Sequence, residues 1–136
     1  MRKIEEILNG RDMNAQEYRI INHFWTEVRV IRGRRDPSQT KNRYLVGLAL
    51  SYRRMSQREI DLETLASLTG LGRSSLQKTL RNMAKDKLVK LERDPEDLRR
   101  TLVKPTQYYL DQSLNMYEET RALIEVTAQQ LKAAKD

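Results

Sequence analysis

Two clusters of residues in this chain have the types and spacing to meet a polyanion. The first is Arg73, Ser74, Ser75, Gln77, Lys78 and Arg81, with Lys85 one turn further on. Leu76, Leu80 and Met83 step through the same stretch at helical spacing, so they read as a buried stripe that leaves the polar side chains outside. Serine and glutamine bond base edges or phosphates, and arginine pairs with guanine O6 and N7. The second cluster is Asp97, Arg99 and Arg100, just after the turn-forming run Asp94-Pro95-Glu96-Asp97. A merely solvated surface is the ordinary fate of such charges and is the reading to beat.

Other chemistry is poorly served. The chain has no cysteine, which excludes disulfides, thiolate zinc sites and thiol nucleophiles. It has a single histidine, His23, too few for a histidine-based catalytic or metal site. No nucleophile–base pair, metal cluster or phosphate loop stands out. An enzyme is therefore not expected, nor a metal or a cofactor.

The charge balance agrees with the two clusters. Among 136 residues, 26 are Lys or Arg and 19 are Asp or Glu, a formal net charge of +7. Residues 29–58 carry 9 basic and 1 acidic side chains, and residues 73–104 carry 10 and 5. Residues 1–28 carry 4 and 5, and residues 105–136 carry 3 and 5, so both terminal segments are mildly acidic. The basic middle predicts a nucleic-acid partner. The longest apolar run, Tyr44–Leu50, falls far short of the roughly 20 residues of a membrane span. Residues 1–10 have no signal-peptide core, so a cytoplasmic location is expected.

The elements that must hold these clusters can be read from caps and periodicity. Ile4–Leu8 predicts a short helix stopped by Gly10. Asn14 is placed as an N-cap with Glu17 in capping-box position. Tyr18, Ile21, Trp25, Val28 and Ile31 then form a helical stripe ending near Gly33. Asp36-Pro37-Ser38-Gln39 reads as the next helix start, with Pro37 at its first position. A polar connection follows over 53–58. Asp61 caps a short helix ending at Gly70, and Gly72 opens the helix of the first cluster. Leu71 and Leu76 are placed as a hydrophobic staple across that start. Leu88–Arg93 and Thr101–Lys104 form a β-hairpin. From Thr106 to Asp136 there is neither glycine nor proline. Leu114, Tyr117, Arg121, Ile124, Ala128 and Leu131 step by three and four along that stretch, a stripe that suggests a partner helix.

Two helices joined at Gly70 and followed by a hairpin make a winged helix-turn-helix. The stretch Leu65-Ala66-Ser67-Leu68-Thr69-Gly70-Leu71-Gly72-Arg73-Ser74-Ser75-Leu76 resembles the helix-turn-helix of the multiple-antibiotic-resistance regulator (MarR) family. Leu88-Val89 resembles the entry to that family's first wing strand, and Asp97-Leu98-Arg99 its D-x-R wing motif. Leu102-Val103-Lys104-Pro105-Thr106 resembles the strand leading to its last helix. Lys87 departs from the pattern, standing where the family usually has glycine, and Gly72 replaces its usual Ser or Thr cap.

The resemblance implies a mainly α fold, a winged helix-turn-helix with flanking N- and C-terminal dimerisation helices. The expected division is 1–34 and 106–136 for dimerisation and 35–105 for DNA binding. It implies a homodimeric, sequence-specific regulator of transcription, a repressor, on double-stranded DNA. The recognition helix would read the major groove. Arg99 would enter the minor groove, oriented by Asp97, with Arg100 as a further wing contact. Many relatives bind a small aromatic anion, and His23, Phe24, Trp25, Tyr44 and Tyr52 are candidates to line such an effector pocket, with core packing as their plainer role. The competing readings are a winged-helix replication-initiation or partition protein, and a winged helix that binds protein.

Overall fold

A computed structural model describes residues 2–55 and 59–135. The connection expected over 53–58 therefore lies partly, at 56–58, outside the described residues. In chain order the elements are α1 (Ile4–Ile7), α2 (Ala15–Arg35), α3 (Lys41–Met55), α4 (Leu62–Thr69), α5 (Arg73–Lys85), β1 (Val89–Arg93), β2 (Thr101–Pro105) and α6 (Gln107–Ala134). They form two compact units, residues 1–37 with 114–136, and residues 38–113.

In the first unit, Asn14 forms the capping box that its spacing with Glu17 predicts. Its Oδ1 accepts from the Glu17 amide at 2.8 Å, and its own amide donates to Glu17 Oε1 at 2.9 Å. The Asn14 side-chain amide also donates to the Ala134 carbonyl at 3.0 Å, so the start of α2 is tied to the end of α6. Arg34, at the other end of α2, pairs with Glu119 of α6, which sets the two helices antiparallel. Helix α2 runs through Gly33 to Arg35, further than expected. A single interior glycine costs only about 1 kcal/mol against alanine, too little to end a well-capped helix.

The second unit has one apolar core. Val46, Ala49 and Leu50 of α3, Leu65 of α4, Leu76, Leu80 and Met83 of α5, Val89 of β1 and Val103 of β2 are buried together with Ile60, Leu88 and Tyr109. The strands pair antiparallel from Val89↔Pro105 to Arg93↔Thr101. The segment before α4 joins them: the Val103 amide donates to the Ile60 carbonyl at 2.9 Å, and Asp61 bridges to Leu102. Tyr109 and Ser113 are buried, and the first turns of α6 belong to this unit, which runs to residue 113.

One expected helix start is corrected. Helix α3 begins at Lys41, and Pro37 is not its first residue. Thr40 supplies the cap, its Oγ1 accepting from the Arg43 amide at 3.2 Å and its carbonyl from the Tyr44 amide at 2.9 Å. Asp36 instead closes α2, donating its amide to the Arg32 carbonyl. Proline is favoured at a first helical turn but is not required there. A hydroxyl three residues ahead of an orphan amide satisfies that amide directly.

The end of α5 shows how the chain manages without the glycine that the resemblance leads one to expect. Lys87 has φ 63°, the left-handed conformation, the only positive φ at a non-glycine among the described residues. The Leu88 amide donates to the Met83 carbonyl at 2.9 Å and the Lys87 amide to the Ala84 carbonyl at 3.0 Å. This is the Schellman pattern, completed by burial of both Leu88 and Met83. An L-residue pays roughly 1–2 kcal/mol for that conformation, while glycine loses about 0.5–1 kcal/mol in chain entropy. Lys87→Gly is therefore expected to raise the stability by about 0.5–1 kcal/mol, read from urea unfolding at neutral pH. Gly70→Ala, at φ 72° in the turn after α4, is expected to lower it by about 1 kcal/mol or more.

Candidate nucleic-acid interface

Helix α5 separates its side chains as its periodicity demands. Leu76, Thr79, Leu80 and Met83 are buried, and Arg73, Ser74, Ser75, Lys78, Arg81 and Lys85 are exposed, with Gln77 half-buried. The Thr79 hydroxyl, the polar group on the inward face, donates to the Ser75 carbonyl at 2.8 Å. Asn82 is also exposed on the outward face and was missed among the sequence candidates. Its spacing was the available signal, four residues after Lys78 and eight after Ser74. Arg73 pairs with Glu63 of α4 at 3.0 Å, but both side chains are well exposed, so the pair exchanges readily for another anion. Gln77 and Arg81 rim a cavity of about 210 Å³ with Leu62, Leu80, Leu91 and Thr101, between α5 and the hairpin.

The hairpin tip is a closed turn. The Asp94 amide donates to the Arg100 carbonyl at 2.9 Å, and the Arg100 amide to the Asp97 carbonyl at 2.9 Å. Asp97 Oδ1 accepts from the Arg99 amide at 3.1 Å and from Arg99 Nε at 3.2 Å. The pair is thus made through one oxygen and one side-chain nitrogen, not as a two-pronged fork. The Arg99 side chain remains 93 % exposed.

Arg100 has a different setting. Its Nε donates to Asp61 Oδ2 at 2.7 Å and its Nη1 to Asp94 Oδ2 at 3.0 Å, with Glu59 at 4.0 Å, and its side chain is only 37 % exposed. Two close carboxylates hold the guanidinium that the wing motif leads one to count as an outward contact. Burial pushes the Asp61 carboxyl up, but hydrogen bonds from Arg100 and Thr64 and the Arg100 charge outweigh it and hold the pKa at about 2. The Asp94 carboxyl is likewise lowered, first by the Glu96 amide and then by Arg100.

Two arginines of the basic run over 29–58 have carboxylate partners inside the protein. Arg43 is buried, and its Nη2 donates to Asp86 Oδ2 at 2.6 Å, joining α3 to the end of α5. Arg34 is engaged by Glu119. The effector candidates are divided between the two units. His23 lines a depression of about 380 Å³ with Gln16, Arg19, Ile20, Gln130 and Ala133. Phe24 meets Trp25 edge to face at 5.4 Å, and Trp25 is 62 % exposed, so it is not a core residue. Tyr44 and Tyr52 lie on α3 in the other unit, where Tyr52 lines an apolar depression of about 270 Å³ with Leu45, Leu48, Ala49 and Leu68. Neither depression takes more than one of the five residues. Among the described residues there is no group of three or more His, Cys, Asp or Glu side chains that could hold a metal ion. None of their helices is long and apolar enough to cross a membrane.

No protein-family profile matches the chain. No curated protein matches it either. Solved structures do. Rv1404 from Mycobacterium tuberculosis aligns at 18 % identity over 96 % of this chain and 82 % of its own, with a TM-score of 0.67. The transcriptional regulator Tm0710 from Thermotoga maritima aligns at 18 % identity over 84 % and 79 %, with a TM-score of 0.60. MepR from S. aureus, in a complex with DNA, aligns at 16 % identity over 85 % and 94 %, with a TM-score of 0.62. At such identities the shared property is the fold. It is a winged helix, the mainly α architecture that the sequence resemblance implies.

The lowered Asp61 carboxyl makes stability depend on pH with a definite sign. A carboxyl with a folded-state pKa below its ordinary value of 3.8 contributes fully above that value, and the contribution is lost as pH falls through about 2. Asp61→Asn keeps an oxygen to cap α4 but loses the charge facing Arg100. It is expected to lower the urea midpoint at neutral pH and to flatten the fall in stability between about pH 4 and 2. Equal slopes in the two proteins would show that another group titrates.

Proposed function

We propose that this chain is a sequence-specific, double-stranded-DNA-binding regulator of transcription that acts as a homodimer, a repressor in the cytoplasm. The observation that carries the reading is the outward face of α5, basic and amide-bearing, in the same unit as a hairpin whose tip offers an exposed Arg99. A helix of this kind fits the major groove, where Arg73, Gln77 and Arg81 have base edges to read. The wing reaches the adjacent minor groove with Arg99, and Asp97 restrains that side chain. The DNA complex of MepR, which has the same fold, supports this choice of partner.

The homodimer rests on α6. Leu114, Tyr117 and Ile124 are all exposed, and with Arg121 and Ala128 they step by three and four along one face. An exposed apolar seam on a 28-residue helix, about 42 Å long, suits a second copy of that helix. Ile124→Asp is expected to shift the protein from dimer to monomer in sedimentation at micromolar concentration. A wild-type monomer under those conditions would overturn the homodimer. Two recognition helices about 34–36 Å apart then demand a palindromic site.

Genome-wide DNA pull-down with the purified protein, followed by titration on the recovered sites, tests the assignment. Affinity is expected to fall steeply with salt, each neutralised phosphate adding about −0.9 to the log–log slope. Arg99→Ala should weaken A·T-flanked sites alike. Gln77→Ala and Arg73→Ala should change which sequences are preferred, by about 1–3 kcal/mol per good base contact. A flat salt response would point to a protein partner, and sites confined to replication origins or partition loci to those roles.

A further inference from the structure

The D-x-R motif leaves unexplained the arginine that follows it. We propose that Arg100 is a positioning residue, which clamps the wing to the start of α4 and so fixes where Arg99 stands, without touching nucleic acid itself; the binding half of this inference rests on the DNA-binding reading above.

The geometry is a bridge with every end accounted for. Asp61 divides its carboxylate: Oδ1 accepts from the Thr64 amide at 2.7 Å and caps α4, and Oδ2 accepts from Arg100 Nε at 2.7 Å. Asp94 divides its own in the same way, with Oδ1 accepting from the Glu96 amide at 2.9 Å and Oδ2 from Arg100 Nη1 at 3.0 Å. One planar guanidinium therefore joins the helix-turn-helix to the turn of the wing, a task for a fork and not for a point charge. Asp94 is buried and the Asp61 side chain is 15 % exposed, so water competes poorly for these bonds. A two-stranded ribbon alone is marginally stable. Beyond the strand pairing, its tip is held by the Arg100 bridge and by turn hydrogen bonds, among them Arg93 Nη1 to the Leu98 carbonyl at 3.1 Å. Arg99 is the preceding residue in the chain, and its amide lies inside the turn that the Arg100 amide closes on the Asp97 carbonyl. Releasing Arg100 frees the segment that carries Arg99.

The test has two arms on the full chain. In the free protein, amide hydrogen exchange is compared between wild type, Arg100→Lys and Arg100→Gln. Lysine keeps the charge but cannot bridge both carboxylates. Exchange over 94–100 is expected to accelerate about tenfold or more in both variants, with α5 unchanged. Unchanged exchange at the tip overturns the proposal whatever binding shows, and loss of protection throughout α5 overturns it in favour of a general role in folding. In the second arm, binding to a recovered duplex is measured against salt. Arg100→Lys and Arg100→Gln are expected to weaken binding about tenfold without changing the log–log slope. In an Arg99→Ala background Arg100→Gln should add less than about twofold, because no aimed arginine is left to lose. A slope reduced by about 0.9 per wing would make Arg100 a phosphate contact, and full additivity would uncouple it from Arg99; either overturns the proposal. If the wild type binds no duplex at any salt, the DNA-binding reading fails, while the exchange arm still decides whether Arg100 holds the wing.

Discussion

The inward face of α5 is the constraint on which the second unit depends. Leu76, Leu80 and Met83 are almost wholly buried, and they meet α3, α4 and both strands through one continuous core. A helix has only one rotation that buries such a stripe. The outward direction of Ser74, Lys78, Arg81, Asn82 and Lys85 is therefore a by-product of burying three apolar side chains. Truncating any of these three would cost about 2–5 kcal/mol and would also loosen the surface that they aim.

Charge is handled differently in the interior and at the rim. The guanidinium of Arg43, buried against Asp86, and that of Arg100, held between Asp61 and Asp94, join elements distant in sequence. Removing one partner from such a pair leaves a poorly hydrated charge behind, so these contacts resist exchange with outside ions. Arg73 and Arg99 have carboxylates nearby, but their side chains remain largely in water. Such pairs give way to a stronger anion at little cost. The chain thus separates arginines that hold the fold from arginines free to change partner, and net charge counts both alike.

What the sequence reveals and what it hides follow the same division between local and distant contacts. The Asn14–Glu17 box, the Asp61 cap, the helix end at Gly70 and the buried stripe of α5 are rules of neighbours within four residues, and all could be read directly. The start of α3 could not, because Pro37 and Thr40 both suit a helix start and only the folded chain shows which one caps the orphan amide. Nothing near Arg100 in the sequence marks it off from the other wing cations, because its partner Asp61 lies 39 residues away. The Arg43–Asp86 pair, 43 residues apart, was illegible for the same reason. His23, Phe24 and Trp25 belong to the first unit and Tyr44 and Tyr52 to the second, an assignment that composition does not encode.

The left-handed Lys87 has a consequence for how this sequence can drift. Its side chain is exposed beyond the end of α5, and its carbonyl accepts from the Thr106 hydroxyl at 2.7 Å at the threshold of α6. The strain is local, and the side chain is exposed, so a replacement disturbs no buried packing. Lysine and asparagine codons are neighbours in the genetic code, and asparagine is the side-chain-bearing residue that tolerates this conformation best. Position 87 is thus a reserve of stability within easy mutational reach, open to be drawn on when a harmful substitution elsewhere needs compensation. Until it is drawn on, the chain carries a cation at the base of the wing where asparagine or glycine would carry none.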